Sequence, residues 1–309
     1  MTESLPRRFL TGPLRDLFDD PNIREIHVNG DGSVFVHTHR GKESRDLRLH
    51  PDQIRPFLEL VASSINQTLT EASPLLNAEL PDDMDRARLA AVLPPISSGP
   101  ALTLRKHPKI LIPLSAYVEA GTFTPAHADL FRSLLAERRT LLIAGGTDTG
   151  KTTLANALLG ELAQLSPDER VVVLEDTQEL RTSLPNALFL RTNDSVTLDD
   201  LLRHTLRLHP DRIIVGEIRG PEAFTMLDAM MTGHPGGIAT VHADSADGAL
   251  LRLSELSARH HPGSYERLAA AAINTVILMR RIRGVLTLHD VVAVDPYLHE
   301  GRFQLRSLL

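Results

Sequence analysis

The sequence contains no cysteine. Disulfides, thiolate zinc sites and cysteine nucleophiles are therefore excluded. Aromatic residues are scarce, at 4%, which leaves little stacking platform for single-stranded nucleic acid. Positive charge is not in excess either: the formal net charge is −6. No direct sequence-specific nucleic-acid binding is expected from such a balance. No window reaches the roughly 18 uninterrupted apolar residues of a membrane-crossing helix; the apolar stretch 268–279 is short and Asn274 interrupts it. The opening stretch MTESLPRRFLTGPLRDLFDD has no apolar run of signal-peptide length. Work at a membrane would then require recruitment by a partner. The fourteen histidines show no close ligand spacing such as H-E-x-x-H.

What is present is an ordinary globular balance: 309 residues, 42% hydrophobic and 23% charged. That length is enough for two domains. Residues 1–107 read as a smaller α/β unit. Within it, residues 23–29 and 34–37 alternate around the turn signal Asn29-Gly30-Asp31-Gly32, as a hairpin does. Residues 51–65 carry apolar side chains at helical spacing, and 86–93 and 101–106 read as two further strands. Residues 108–124, with Pro108 and Pro113, read as a linker. Thr124-Pro125 then opens a helix, with Thr124 as cap and Pro125 at the first helical position. From residue 125 to 309 strand and helix patterns alternate. The continuous runs LLIA, VVVL and IIV suit strands buried on both faces, and the alternation predicts a mainly parallel sheet. The tail, at 275–281, 285–294 and 302–305, reads as strands without intervening helices, an antiparallel appendix.

The segment Gly145-Gly146-Thr147-Asp148-Thr149-Gly150-Lys151-Thr152 fits G-x-x-x-x-G-K-[ST], between a buried strand and an amphipathic helix. Glycines let the backbone curl so that successive N–H groups face phosphate oxygens, and the helix adds its positive end. Lys151 is expected to reach the β- and γ-phosphates of ATP, and Thr152 to bind Mg²⁺ through its hydroxyl. Thr153 completes the GKTT run. Asp148 is the awkward residue, because a carboxylate beside a triphosphate repels it. It is expected to point to solvent, with pairing to a nearby cation as the alternative.

Hydrolysis needs a group that orients and activates water. The strand 211–217 ends in Glu217, which a parallel sheet delivers to the phosphate side. Gly216 stands where an aspartate often precedes such a base. A second strand, 171–174, ends at Glu175-Asp176, an acid pair that can hold magnesium through water. His234 precedes a strand and His242 closes it; a lone strand-end histidine serves either structure or phosphate sensing.

In this order, GGTDTGKTT, LEDTQEL, HPDRIIVGEIRG and TGHPGGIATVHADS resemble the Walker A, Asp, Walker B and His boxes of the secretion-ATPase superfamily. The segments EIHVNG, RLAAVLPPISSGPALTLRKHP and RTNDSVTLDDLLRHTLRLHPDRIIVGE are similar to the type IV secretion traffic ATPases, in particular the TrbB-like conjugal transfer ATPases. The resemblance spans most of residues 20–295. It implies a homo-hexameric motor with a RecA-like P-loop domain and nucleotide held between the two domains. It implies a site at the cytoplasmic face of the inner membrane, reached through components of a type IV secretion or conjugation channel. Carried over residue by residue, Lys151 and Thr152 are the cradle residues and Glu217 the catalytic glutamate. Glu175 is the Asp-box acid, His234 and His242 the His-box pair, and Arg88 and Arg105 the N-domain arginines that reach ATP. Arg207 and Arg219 are further candidates for charge stabilisation. Pilus and type II secretion ATPases share the boxes. A nucleotide-binding scaffold with weak hydrolysis is the alternative that Asp148 motivates.

Overall fold

The computed structural model describes residues 3–10, 12–38, 41–106, 111–193, 195–259, 262–282 and 284–309. The chain forms two compact units, Met1–Lys109 and Ile110–Leu309. The expected domain boundary at 107 and 108 lies outside the described residues.

The first unit contains α1 (Leu5–Phe9), α2 (Gly12–Asp19), β1 (Ile23–Val28), β2 (Ser33–Thr38), β3 (Gly41–Arg48), α3 (Pro51–Ser64), β4 (Leu75–Glu79), a 3-10 turn at Asp82–Met84, β5 (Arg88–Val92) and β6 (Ala101–Arg105). Its strands pair antiparallel in the order β3-β2-β1-β6-β5-β4. One face is apolar because alternate positions are: Ile26, Val28, Val34, Val36, Leu102 and Leu104 pack with Phe57, Leu58 and Val61 of α3. Glu25, His27, His37, Arg88 and Arg105 alternate with these buried positions and fall on the opposite face.

The second unit contains α4 (Leu114–Glu119), α5 (Pro125–Ala136), β7 (Leu141–Ala144), α6 (Lys151–Leu165), β8 (Val171–Glu175), β9 (Ala187–Arg191), α7 (Leu198–Thr205), β10 (Arg212–Ile218), α8 (Glu222–Met231), β11 (Ile238–Val241), α9 (Ala246–Ala258), α10 (Glu266–Ala272), β12 (Thr275–Ile282), β13 (Val285–Val294) and β14 (Leu305–Ser307). One sheet runs β14-β13-β12-β7-β11-β10-β8-β9. The six strands from β12 to β9 are parallel, and β13 and β14 join antiparallel. The tail strands are thus not a separate appendix: β12 pairs directly with β7 and continues the main sheet.

Strands β7, β8 and β11 are buried at every position, which explains their unbroken apolar runs. Their alternate side chains feed two cores. Leu142, Ala144, Val172 and Val215 pack with α8, α9 and α10 on one face. Leu141, Ile143, Val171 and Val173 pack with α5 and α6 on the other. The stretch expected to be a linker is largely part of this second core. Leu114, Tyr117 and Phe123 are buried there, and the Tyr117 and Phe123 rings stack with centroids 4.5 Å apart. Burial pushes the Tyr117 phenol upward.

Candidate active site

Parallel strands put their carboxyl ends on one edge of the sheet, where ligands of such folds gather. The glycine loop after β7, Glu175 at the end of β8, Glu217 near the end of β10 and His242 after β11 all lie on that edge. The opposite edge holds the strand beginnings. His234 lies there, on the loop that leads into β11. The structure therefore separates the two histidines of the expected pair. Within one chain only His242 stands at the glycine loop, where its Nε2 is 3.2 Å from the Thr147 hydroxyl. The Nδ1 of His234 is buried with no hydrogen-bond partner among the described residues. Arg207, on the turn after α7, also lies away from the loop: the neighbouring Leu208 carbonyl accepts a hydrogen bond from Arg170, beside the beginning of β8.

The loop is shaped by close approach. A Cβ on Gly145 would stand 2.5 Å from the Met279 carbonyl oxygen of β12 and 2.5 Å from the Thr149 hydroxyl. Gly150 takes a left-handed φ of 76° as it opens α6, with Leu286 against it. Thr149 donates its hydroxyl hydrogen to the Gly146 carbonyl at 2.8 Å. No side chain caps α6, so its first N–H groups remain available to an anion. Thr152 and Thr153 are half-buried on its first turn. Asp148 is exposed, at a φ of 58°. Its carbonyl accepts from Arg281 Nε at 3.0 Å, so β12 braces the loop tip.

The Lys151 ammonium donates to the Gly145 and Gly146 carbonyls at 2.9 and 2.8 Å. Burial pulls its pKa below the usual lysine value of 10.5; Glu217 and Asp148 oppose that pull and Arg219 adds to it. A partly buried ammonium gains from the approach of a polyanion, which favours its charged form. Glu217 accepts from Arg219 Nη2 at 2.5 Å, and Arg219 Nη1 lies 3.9 Å from Asp176. The Glu217 contact, by hydrogen bond and charge, raises the Arg219 pKa above its ordinary value.

Glu175 is 5% exposed. Its Oε1 accepts from the backbone N–H groups of Glu179 and Leu180 at 3.0 and 2.9 Å. On α6, Asn156 secures the same loop, donating to the Glu179 carbonyl and accepting from the Arg181 N–H at 2.7 Å. Gly216 now has a physical reason. A Cβ there would meet Glu175 Cγ at 2.8 Å. The acid on β8 fills the space that a side chain before Glu217 would need. In the first unit, Arg88 and Arg105 face each other across β5 and β6, and Arg105 Nε lies 3.4 Å from Glu25.

Residues at this edge supply hard oxygen donors, the Thr152 hydroxyl and the Glu175 and Asp176 carboxylates, which suit a magnesium ion that keeps most of its waters. No cluster of three or more acidic or histidine side chains able to hold a metal by itself occurs among the described residues.

Comparison with known proteins settles the kinship. The sequence pattern of the type II/IV secretion system protein family matches residues 11–289. The chain belongs to this family. The secretion-family chain is 37% identical over 279 residues to the conjugal transfer protein TrbB of Rhizobium radiobacter, spanning 90% of this chain and 86% of that one. Among solved structures it resembles the VirB11 ATPase of the Brucella suis type IV secretion system in complex with sulphate, at 27% identity and a TM-score of 0.51, over 93% of this chain and 94% of that one. The Legionella pneumophila ATPase DotB shares the fold, with a TM-score of 0.64 at 19% identity over 98% of this chain and 84% of that one.

Proposed function

We propose that this secretion-family protein is a P-loop ATPase with a RecA-like second unit, working as a homo-hexameric motor of a type IV secretion or conjugation system. The observation that carries the reading is the convergence of Lys151, Glu217 and the glycine loop on the carboxyl edge of one parallel sheet. In this reading the loop N–H groups and Lys151 bind the phosphates of ATP. Thr152, with Glu175 through water, holds Mg²⁺, which when bound neutralises charge on the β- and γ-phosphates. Glu217 orients the attacking water and takes its proton. His242 senses the γ-phosphate through the Thr147 side of the loop, and Arg88 and Arg105 are assigned to the nucleotide. Inner-membrane channel components would recruit the protein to the cytoplasmic face; no described helix is long and apolar enough to cross a membrane.

The test is steady-state ATPase activity with Mg²⁺ for wild type, Glu217→Gln and Lys151→Ala, each checked by sizing. A wild-type ring that turns over, with both variants at least about 10²-fold slower, supports the motor. A wild-type ring that binds ATP but hydrolyses no faster than the variants sinks it. The second reading, a nucleotide-binding scaffold, would then lead. Asp148, an exposed acid on the loop, favours that reading. Asp148→Gly should restore turnover if the carboxylate is what suppresses it.

A further inference from the structure

Arg219 grips Glu217, the residue assigned to accept the proton of the attacking water. Its Nη2 is 2.5 Å from Glu217 Oε2 while its Nη1 stands 3.9 Å from Asp176 Oδ2. Asp176 is itself steadied by the Thr192 hydroxyl at 3.1 Å. A carboxylate oxygen that already accepts from a guanidinium has fewer lone pairs free for a water hydrogen. The contact is not fixed by burial: the Arg219 and Glu217 side chains are 57% and 30% exposed. An exposed ion pair of this kind contributes little and exchanges readily.

Three facts give the guanidinium somewhere to go. Glu217, the residue it grips, shares the carboxyl edge of the sheet with Lys151 and the glycine loop, so the guanidinium stands at the edge where the terminal phosphates are expected. A guanidinium has a planar fork of donors that fits phosphate oxygens as well as carboxylate oxygens. One arm already rests toward Asp176, which can hold the side chain while the other arm moves.

We propose that Arg219 is a substrate-operated switch on Glu217: it neutralises the carboxylate until a γ-phosphate on Lys151 draws its Nη2 arm away. The inference rests on the ATPase reading above and adds a residue and a sequence of events to it. With the arm on the γ-phosphate, Glu217 is released to take a proton from water. The water oxygen forms a bond to the γ-phosphorus as the bond from that phosphorus to the β–γ bridging oxygen breaks. ADP leaves with that oxygen, Arg219 stabilises the charge on the transferring group, and the proton on Glu217 passes to solvent. ADP, which lacks the γ-phosphate, leaves Arg219 on Glu217. The switch thus separates the two nucleotides by one ion pair and keeps the base blocked without substrate.

The experiment measures ATP and ADP affinities, by displacement of a fluorescent ADP analogue with Mg²⁺, alongside turnover. The proteins are wild type, Arg219→Ala, Arg219→Gln, Glu217→Gln and the Glu217→Gln/Arg219→Ala double variant. Arg219→Ala should weaken ATP about tenfold relative to ADP and slow turnover by about 10²-fold. Glu217→Gln should bind ATP about fivefold more tightly with ADP unchanged, because no ion pair must then be broken; the double variant should lose that gain. Arg219→Gln serves if the alanine variant does not fold. Equal weakening of ATP and ADP in the Arg219 variants, or a Glu217→Gln gain that survives without Arg219, overturns the switch. A wild type that turns over while Arg219→Ala turns over equally overturns it too, leaving the ATPase reading intact. A wild type that does not hydrolyse ATP overturns the reading on which both stand.

Discussion

At the scale of residues, the site depends on atoms that crowd one another. Gly216 and Glu175 share a single volume, with a hypothetical Cβ 2.8 Å from Glu175 Cγ. Gly216→Ala should therefore push Glu175 off the Glu179 and Leu180 N–H groups. We expect a cost of about 1–3 kcal/mol from the forced overlap and a fall in turnover larger than the fall in nucleotide affinity. Urea unfolding and steady-state kinetics check the two parts. Adding Glu175→Asp, which withdraws one methylene, should recover part of the stability. This packing was not legible in the sequence, because it joins positions 41 apart on neighbouring strands. The glycine loop was legible, since its spacing is local and its flanking strand and helix are strongly patterned. Arg219 was legible only as one charge among several; its grip on Glu217 is tertiary.

At the scale of elements, the caps and buried runs were readable and the half-buried elements were not. Thr124 caps α5 as expected, and Thr197 and Asp200 form a reciprocal cap on α7, with each side chain accepting from the other's backbone N–H. Thr197→Ala should cost about 1 kcal/mol, measured by chemical denaturation. The hydroxyl of Thr197, followed by its N–H, holds the Asp200 carboxyl below its ordinary value of 3.8. A depressed carboxylate stabilises the fold above its unfolded pKa, and that contribution is lost as pH falls through the lower folded value. The wild-type advantage over Thr197→Ala should accordingly be constant near neutrality and shrink below about pH 4. By contrast, β9 at the sheet edge is half-buried along most of its length, and β3 alternates half-buried with exposed positions and carries polar or charged side chains on both. Neither has the apolar contrast from which strands are read. The tail strands were seen, but their attachment beside β7 depends on pairing across more than a hundred residues.

At the scale of the whole molecule, the second unit divides its sheet between two tasks. Along the strand beginnings, Arg212 is 1% exposed. It donates to both Glu169 oxygens, to the Leu135 carbonyl at 2.9 Å and to the Gly236 carbonyl at 3.2 Å. Arg138 joins the same Glu169 at 2.6 Å and the Asp211 carbonyl at 2.6 Å. One guanidinium thus fastens the end of α5 and the segments leading into β8 and β11. Arg212→Ala leaves Glu169 without its buried partner and should cost about 3–5 kcal/mol, read from the unfolding midpoint. Lys151→Ala and Glu217→Gln act at the other edge on partly exposed groups, and their midpoints should stay within about 1 kcal/mol of wild type. Inheritance can therefore treat the two edges as separate traits. Drift among the partly exposed side chains of the carboxyl edge can retune what the motor recognises, or how fast it cycles, while the fold keeps its margin. Loss along the other edge removes the protein from the cell before its catalysis is ever put to use.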